Sequence, residues 1–237
     1  MPATMAALTI LAACSKQSGT EGNVRIALEQ QPNLIDVSTK SSVGDFTALP
    51  SASDFTVTIR DEQDNITPVA DLSAPVTLAV GNYTATASYG SLTDEGFDKP
   101  CFSGEKSFAV TGGGSQTVTI TVKLAGSIVK FSFTDSFTNY FKDYTFTITT
   151  GGGTEISVPK SETRAVFMDA YSFKISGTLT NQNGAVQTFA EKEYKNLEPA
   201  TCYTLQFDAS NVGANTITIT FDETTTDAEL VEVDLND

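Results

Sequence analysis

Asp54-Phe-Thr-Val-Thr-Ile59 and Asp143-Tyr-Thr-Phe-Thr-Ile148 are nearly the same six residues at two places in one chain. In both, an acid opens a run in which apolar side chains take every second position and threonine fills the positions between. That period belongs to a strand buried on one face, and β-branched threonine suits the exposed face of a pleated sheet. Working outward, the neighbouring segments repeat in the same order. Gly22-Asn-Val-Arg-Ile-Ala-Leu-Glu29 matches Gly126-Ser-Ile-Val-Lys-Phe-Ser-Phe133 in type, and Gly81-Asn-Tyr-Thr-Ala-Thr-Ala-Ser88 aligns with Asp169-Ala-Tyr-Ser-Phe-Lys-Ile-Ser176. Gln116-Thr-Val-Thr-Ile-Thr-Val122 aligns with Thr201-Cys-Tyr-Thr-Leu-Gln-Phe207. The expected fold is therefore all-β: two tandem immunoglobulin-like or transthyretin-like β-sandwich domains, residues 23–124 and 125–237, at about seven strands each.

Turn chemistry agrees with this division. Asn183-Gly184 suits a type I′ hairpin, and Gly112-Gly-Gly114 and Gly151-Gly-Gly153 supply left-handed positions between strands. Neither glycine run is followed by the Lys-Ser or Lys-Thr and the helix that a phosphate-binding loop needs. Phe137, Tyr140, Phe141 and Tyr144 fall three and four apart, so residues 136–142 are expected to form one short amphipathic turn of helix that packs on the second domain. Ala228-Glu-Leu-Val-Glu-Val-Asp-Leu235 reads as a last strand with Val231, Val233 and Leu235 inward and a charged face guarding an edge.

Composition narrows the function. Of 237 residues, 29 are acidic and 14 are Lys or Arg, a net charge of -15, which repels nucleic acid. The chain has no His and no Trp, so it lacks the commonest general base and transition-metal ligand and the strongest stacking residue. What remains for catalysis is a carboxylate pair or a Ser-Lys dyad, and neither has a recognisable context, so no enzyme, no cofactor and no metal site is expected. Asp61-Glu-Gln-Asp-Asn65 has oxygen ligands in a short loop but not the spacing of an EF-hand; a hairpin turn is expected there.

The amino-terminal segment points to an address. Met5 to Ala13 is an apolar run too short to span a bilayer, which takes about 20 residues, and it ends at Cys14 before a polar stretch. It fits a secretory signal. Leu11-Ala-Ala-Cys14 resembles the lipobox of bacterial lipoproteins, which implies cleavage after residue 13, a lipid on Cys14 and a tether over residues 14–22. No Lys or Arg precedes Cys14, unlike an ordinary signal. The alternative is a buried first strand over residues 5–13 with Cys14 as a core thiol.

Taken with the lipobox, Asp54–Ile59, Val80-Gly-Asn-Tyr-Thr-Ala-Thr-Ala-Ser-Tyr-Gly90, Gly96-Phe-Asp-Lys-Pro-Cys-Phe-Ser-Gly104 and Phe133-Thr-Asp-Ser-Phe-Thr-Asn-Tyr-Phe-Lys-Asp-Tyr144 resemble a family of Bacteroidales-type lipoproteins, a domain of unknown function often labelled as cell-adhesion proteins. The resemblance implies a cell-envelope location, a β-sandwich fold and no inherited catalytic residues. It implies lipid anchoring in the outer membrane, at the cell surface or on the periplasmic face. Surface display in such bacteria often uses an acidic signal after the lipidated Cys, and Ser15-Lys-Gln-Ser-Gly19 lacks one.

The stretch between Tyr89 and Lys106 is the least strand-like part of the first domain and is the candidate recognition loop, with Tyr89, Phe97, Asp98 and Phe102 as its binding residues. Rings beside carboxylates can stack on a sugar and accept its hydroxyl hydrogens. Plugging the end of the sandwich is the commoner role for Phe97 and Phe102, since an aromatic is more often buried than displayed. Cys101 and Cys202 remain once Cys14 is lipidated, and an oxidising envelope would permit a bridge between them. The expected role is a non-catalytic adhesion or binding module with a protein or glycan ligand. The alternatives are a fimbria-like subunit or assembly accessory that uses strand complementation through residues 228–235, and a glycan-capturing surface lipoprotein.

Overall fold

The computed structural model describes residues 19–35, 41–222 and 224–233; Cys14 and Leu235 lie outside them. In chain order the strands are β1 (Glu21–Gln31), β2 (Thr56–Asp61), β3 (Ile66–Pro68), β4 (Val76–Ala79), β5 (Gly81–Tyr89), β6 (Gly96–Phe97), β7 (Phe102–Val110), β8 (Ser115–Leu124) and β9 (Ser127–Phe133). After the helix α1 (Asp135–Tyr140) come β10 (Phe141–Thr150), β11 (Glu155–Pro159), β12 (Val166–Met168), β13 (Ser172–Asn181), β14 (Val186–Lys195), β15 (Cys202–Asp208), β16 (Thr216–Phe221) and β17 (Thr224–Glu232).

Two sheets result. Seven strands lie in the order β3-β2-β5-β7-β8-β1-β4, and ten in the order β11-β10-β13-β14-β17-β16-β15-β9-β12-β6. The two orders are the same pattern with additions. β2, β5, β8 and β1 occupy the places that β10, β13, β15 and β9 occupy in the larger sheet, and these are the segments the sequence repeats. In each unit the first strand lies parallel to a later one, β1 along β8 and β9 along β15, while every other pairing between named strands is antiparallel among the described residues.

Each sheet encloses its own core. In the first, Val24, Ile26, Val57, Ile59, Ala85, Ala87, Val118, Ile120 and Val122 are buried at alternate positions of their strands, as a period of two requires. The registered pairing of β7 with β8 is confined to Phe102 with Leu124 and Ser103 with Lys123. In the larger sheet the hairpin β16–β17 is inserted between β14 and β15, with β17 paired to β16 over Thr224–Glu229 and to β14 over Leu230–Glu232.

Several sequence expectations need correction here. The first-strand alignment slips by one residue: Ile26 lies beside Val118 and Val129 beside Tyr203, so β9 turns Val129 toward the second core and sends Ile128 into the first. A one-residue slip exchanges the two faces of a strand. In the last strand Ala228 and Leu230 are buried, because they lie opposite Ile217 and Phe189, and Val231 is 57% exposed. β17 is also not an outer strand: it lies between β14 and β16, paired to one and then the other along its length.

The hairpin at Asn183-Gly184 is longer than a type I′ turn. Asn181 and Ala185 close it, only Gly184 is left-handed, and the Asn181 side chain accepts from the backbone of Asn183 and Ala185. Gly113 and Gly153 do take positive φ, as their turns require. The expected helical turn forms over Asp135–Tyr140, with Thr134 accepting from the backbone of Phe137 as its cap. Phe137, Phe141 and Tyr144 are buried in the second core.

Candidate functional site

The candidate loop is held between the two units. Gly96 and Phe97 form β6, which pairs with Phe167 and Val166 of β12 and so adds a strand from the first unit to the sheet of the second. The Arg164 guanidinium lies 4.8 Å from the centre of the Phe97 ring, and it also meets Asp98 and Glu162, each at 2.7 Å. The hydrogen bonds from Arg164 hold the Glu162 carboxyl down to about 2. From the same loop, Glu95 accepts from the backbone of Asp169 at 3.0 Å and from the Thr150 hydroxyl. Ile128, Ala165, Phe167 and Cys202 of the second unit pack into the first core.

Of the four expected binding residues, Phe102 is fully buried. It sits on β7 opposite Tyr89 and, with Phe55, forms a trio of rings 5.8 to 6.4 Å apart that closes this end of the first core. A fully buried ring meets no ligand in this conformation, and plugging is what Phe102 does. Phe97 is half-buried under Arg164. Tyr89 and Asp98 remain together on a groove of about 310 Å³, also lined by Ser91, Asp94, Lys99 and Pro100. Lys99 pairs with Asp94 at 3.0 Å and Asp98 with Arg164, so the groove offers hydrogen-bonding groups whose charges are already matched.

A second, wider groove of about 550 Å³ lies at the opposite end of the first unit, away from the expected binding residues. Tyr83 and Phe108 face each other across β5 and β7 with ring centres 5.7 Å apart and planes 22° apart, both half-buried. Around them stand Arg60, Asp61, Asp64, Asn82 and Ser107. The signal was available in the alternation, since Tyr83 carries the first side chain on the inward face of β5, at the end of the strand. Asp61 closes its own turn: one carboxylate oxygen accepts from the backbone of Gln63 and Asn65, and the other accepts from the Asn65 side chain. Among the described residues no group of three or more Cys, Asp or Glu is arranged to hold a metal ion.

Cys101 and Cys202 are thiols, not a disulfide. Burial, with the nearby Asp169 carboxylate, pushes the Cys101 thiol up, away from the reactive thiolate. Cys14 lies outside the described residues. Among those residues no helix is long and apolar enough to cross a membrane.

Residues 20–236 match the family model DUF4493, a domain of unknown function, and the chain belongs to that family. A search of curated proteins finds no match. Among solved structures it is similar to a candidate polysaccharide-binding protein of Bacteroides thetaiotaomicron, at 14% identity over 90% of this chain and 98% of that one, with a TM-score of 0.42. It is similar also to a candidate cell-adhesion protein of the same organism, at 15% identity over 80% and 92% of the two chains with a TM-score of 0.45. A third is the fimbrial anchor protein Mfa2 of Porphyromonas gingivalis, at 11% identity over 88% and 99% with a TM-score of 0.40.

Proposed function

We propose that the chain is a non-catalytic adhesion or binding protein of the bacterial envelope, held by lipid on Cys14 and built as two sandwich domains of the immunoglobulin or transthyretin kind over residues 23–124 and 125–237. The observation that carries this reading is the polarity of the molecule. The chain enters the first unit at Gly19 and Thr20, where the Val80 amide donates to the Thr20 carbonyl, and the second unit is joined at the other end of β1. A lipid on Cys14 would thus sit within about 18 Å of one end, the extended reach of five residues. The junction loop and the second unit would then face away from the membrane. A binding surface on rigidly held loops is the ordinary way such a scaffold works.

The groove at Tyr89 and Asp98 is the site assigned to the ligand. Fatty-acid labelling of cells making the wild type and Cys14→Ala, with protease added to intact cells, tests the address. Labelled and cleavable wild type places the protein on the outside, labelled and protected wild type places it in the periplasm, and an unlabelled wild type overturns the anchor.

A glycan ligand is the second reading, favoured by the Tyr83 and Phe108 rings beside hydrogen-bonding side chains. Under it, Phe108→Ala abolishes retention on a glycan array while Tyr89→Ala leaves it intact; the reverse pattern returns the site to the junction groove.

A further inference from the structure

We propose that the first unit is a mechanical clamp, built to carry tension between the chain's amino-terminal end and the second unit. The inference deepens the envelope reading, on which it rests for the source of the load.

The path of the chain sets how force arrives. β1 receives the incoming chain at Glu21, and β8 delivers the outgoing chain at Leu124 into β9. These two strands are neighbours, parallel, and in register over nine consecutive pairs from Asn23 with Ser115 to Gln31 with Lys123. Tension between the two ends therefore pulls adjacent strands in opposite directions along their own axes. The hydrogen bonds of a ladder run across the strands, so this load strains all of them at once, and no single bond can break and relieve the others. The same strands pulled apart from one end would open like a hairpin, one pair at a time. Because forced unfolding is governed by the unfolding barrier, the two directions meet different barriers in one and the same fold.

A second observation comes from beyond the end of β1. The Ile35 amide donates to Ala200 at 2.9 Å, and the Cys202 amide donates to the Ile35 carbonyl at 3.1 Å, a parallel bridge at the entrance of β15. The first strand thus continues out of its own sheet and is fastened to the second unit. On the way it is also paired with β4 over four residues, Glu21–Val24. Taken together, the strand that meets the incoming chain is fastened to β4, β8 and the second unit. In the second unit the corresponding parallel pair, β9 with β15, is shorter at six registered pairs, and the inserted β16–β17 hairpin is held to β14 by only three.

Single-molecule force spectroscopy on the purified full chain tests the clamp. With Cys14→Ser and Cys101→Ser as background, Thr20→Cys with Lys123→Cys attaches the handles along the shear direction. Thr20→Cys with Ser115→Cys attaches them so that β1 peels from β8. All three handle positions are exposed, and Thr117→Cys serves as a second peeling handle. The expected result is a rupture force several times higher for the 20/123 pair than for the 20/115 and 20/117 pairs, at the same thermal midpoint for all. Equal forces in the two directions overturn the clamp. Fatty-acid labelling at Cys14 is read separately in cells: absence of label overturns the anchor, while the force ratio still decides the clamp.

Discussion

The two units share a strand order and differ in what fills them. The first core is largely aliphatic, with Phe55, Phe102 and Phe167 its only buried aromatic residues among those described, whereas the second holds seven buried phenylalanines and three buried tyrosines. The inserted β16–β17 hairpin accounts for the difference. Two more strands in the wall enclose a wider interior, and close packing then demands larger side chains. Register shows the adjustment locally. Val57 lies across from Ala87 in the first unit, and the matching Phe146 lies across from Gly177 in the second. A Cβ on Gly177 would come within 2.7 Å of the Phe146 ring and 2.6 Å of the Phe189 ring. One topology therefore accepts either small against small or a ring against nothing at all.

The sharpest way to break this comparison is at its rings. Phe146 is fully buried and its ring lies near those of Phe131, Phe133, Phe189 and Phe207. Phe146→Ala is expected to cost about 3–5 kcal/mol, read as a lower urea midpoint at unchanged slope. Gly177→Ala works in the opposite sense, by overpacking, and is expected to cost about 1–3 kcal/mol. The combination Gly177→Ala with Phe146→Ala should cost less than the sum, since the lost ring makes room for the added methyl; strict additivity in calorimetry would refute the coupling.

A smaller effect separates the units by pH. Asp208 accepts hydrogen bonds from Thr134 and Ser136 at the start of α1 and from Ser210, and these hold its carboxyl well below the usual range. With its folded value depressed, its contribution is present above the unfolded value of about 3.9 and is lost as the pH falls through the folded value. Asp208→Asn is expected to lower stability by about 1 kcal/mol at neutral pH, with the gap to wild type closing in strong acid. The smallest expected change is at the junction. Arg164→Ala removes two exposed ion pairs and the contact with Phe97, and should cost under about 1 kcal/mol. It should nevertheless raise hydrogen exchange at Gly96 and Phe97 while leaving β8 unchanged.

The repeat, the strand period and the turn glycines were legible because each is a local property of consecutive residues. Phase was harder to read. β17 offered Ala228 and Leu230 or Val231 and Val233 as its inward set, and only the opposing Phe189 and Ile217 decide between them. The candidate loop is irregular only over residues 90–95 and 98–101, because Phe102–Lys106 already belongs to β7, and the fate of the irregular part depends on residues far along the chain: Arg164 for Asp98, and Thr150 and Asp169 for Glu95. No spacing within residues 89–106 carries that information. Tyr83 and Phe108 were missed for a related reason, since the alternation that marks a residue as inward does not say where the inside ends.

The parallel placement of first and last strands has a consequence for how such a protein can grow. A unit whose chain enters at one end and leaves at the other can be copied in tandem without doubling back, so every duplication adds a full strand length to the reach of the molecule. An antiparallel arrangement would return the chain to its starting side and yield girth instead. In this chain β1 leads to a bridge at the threshold of β15, and β8 runs directly into β9.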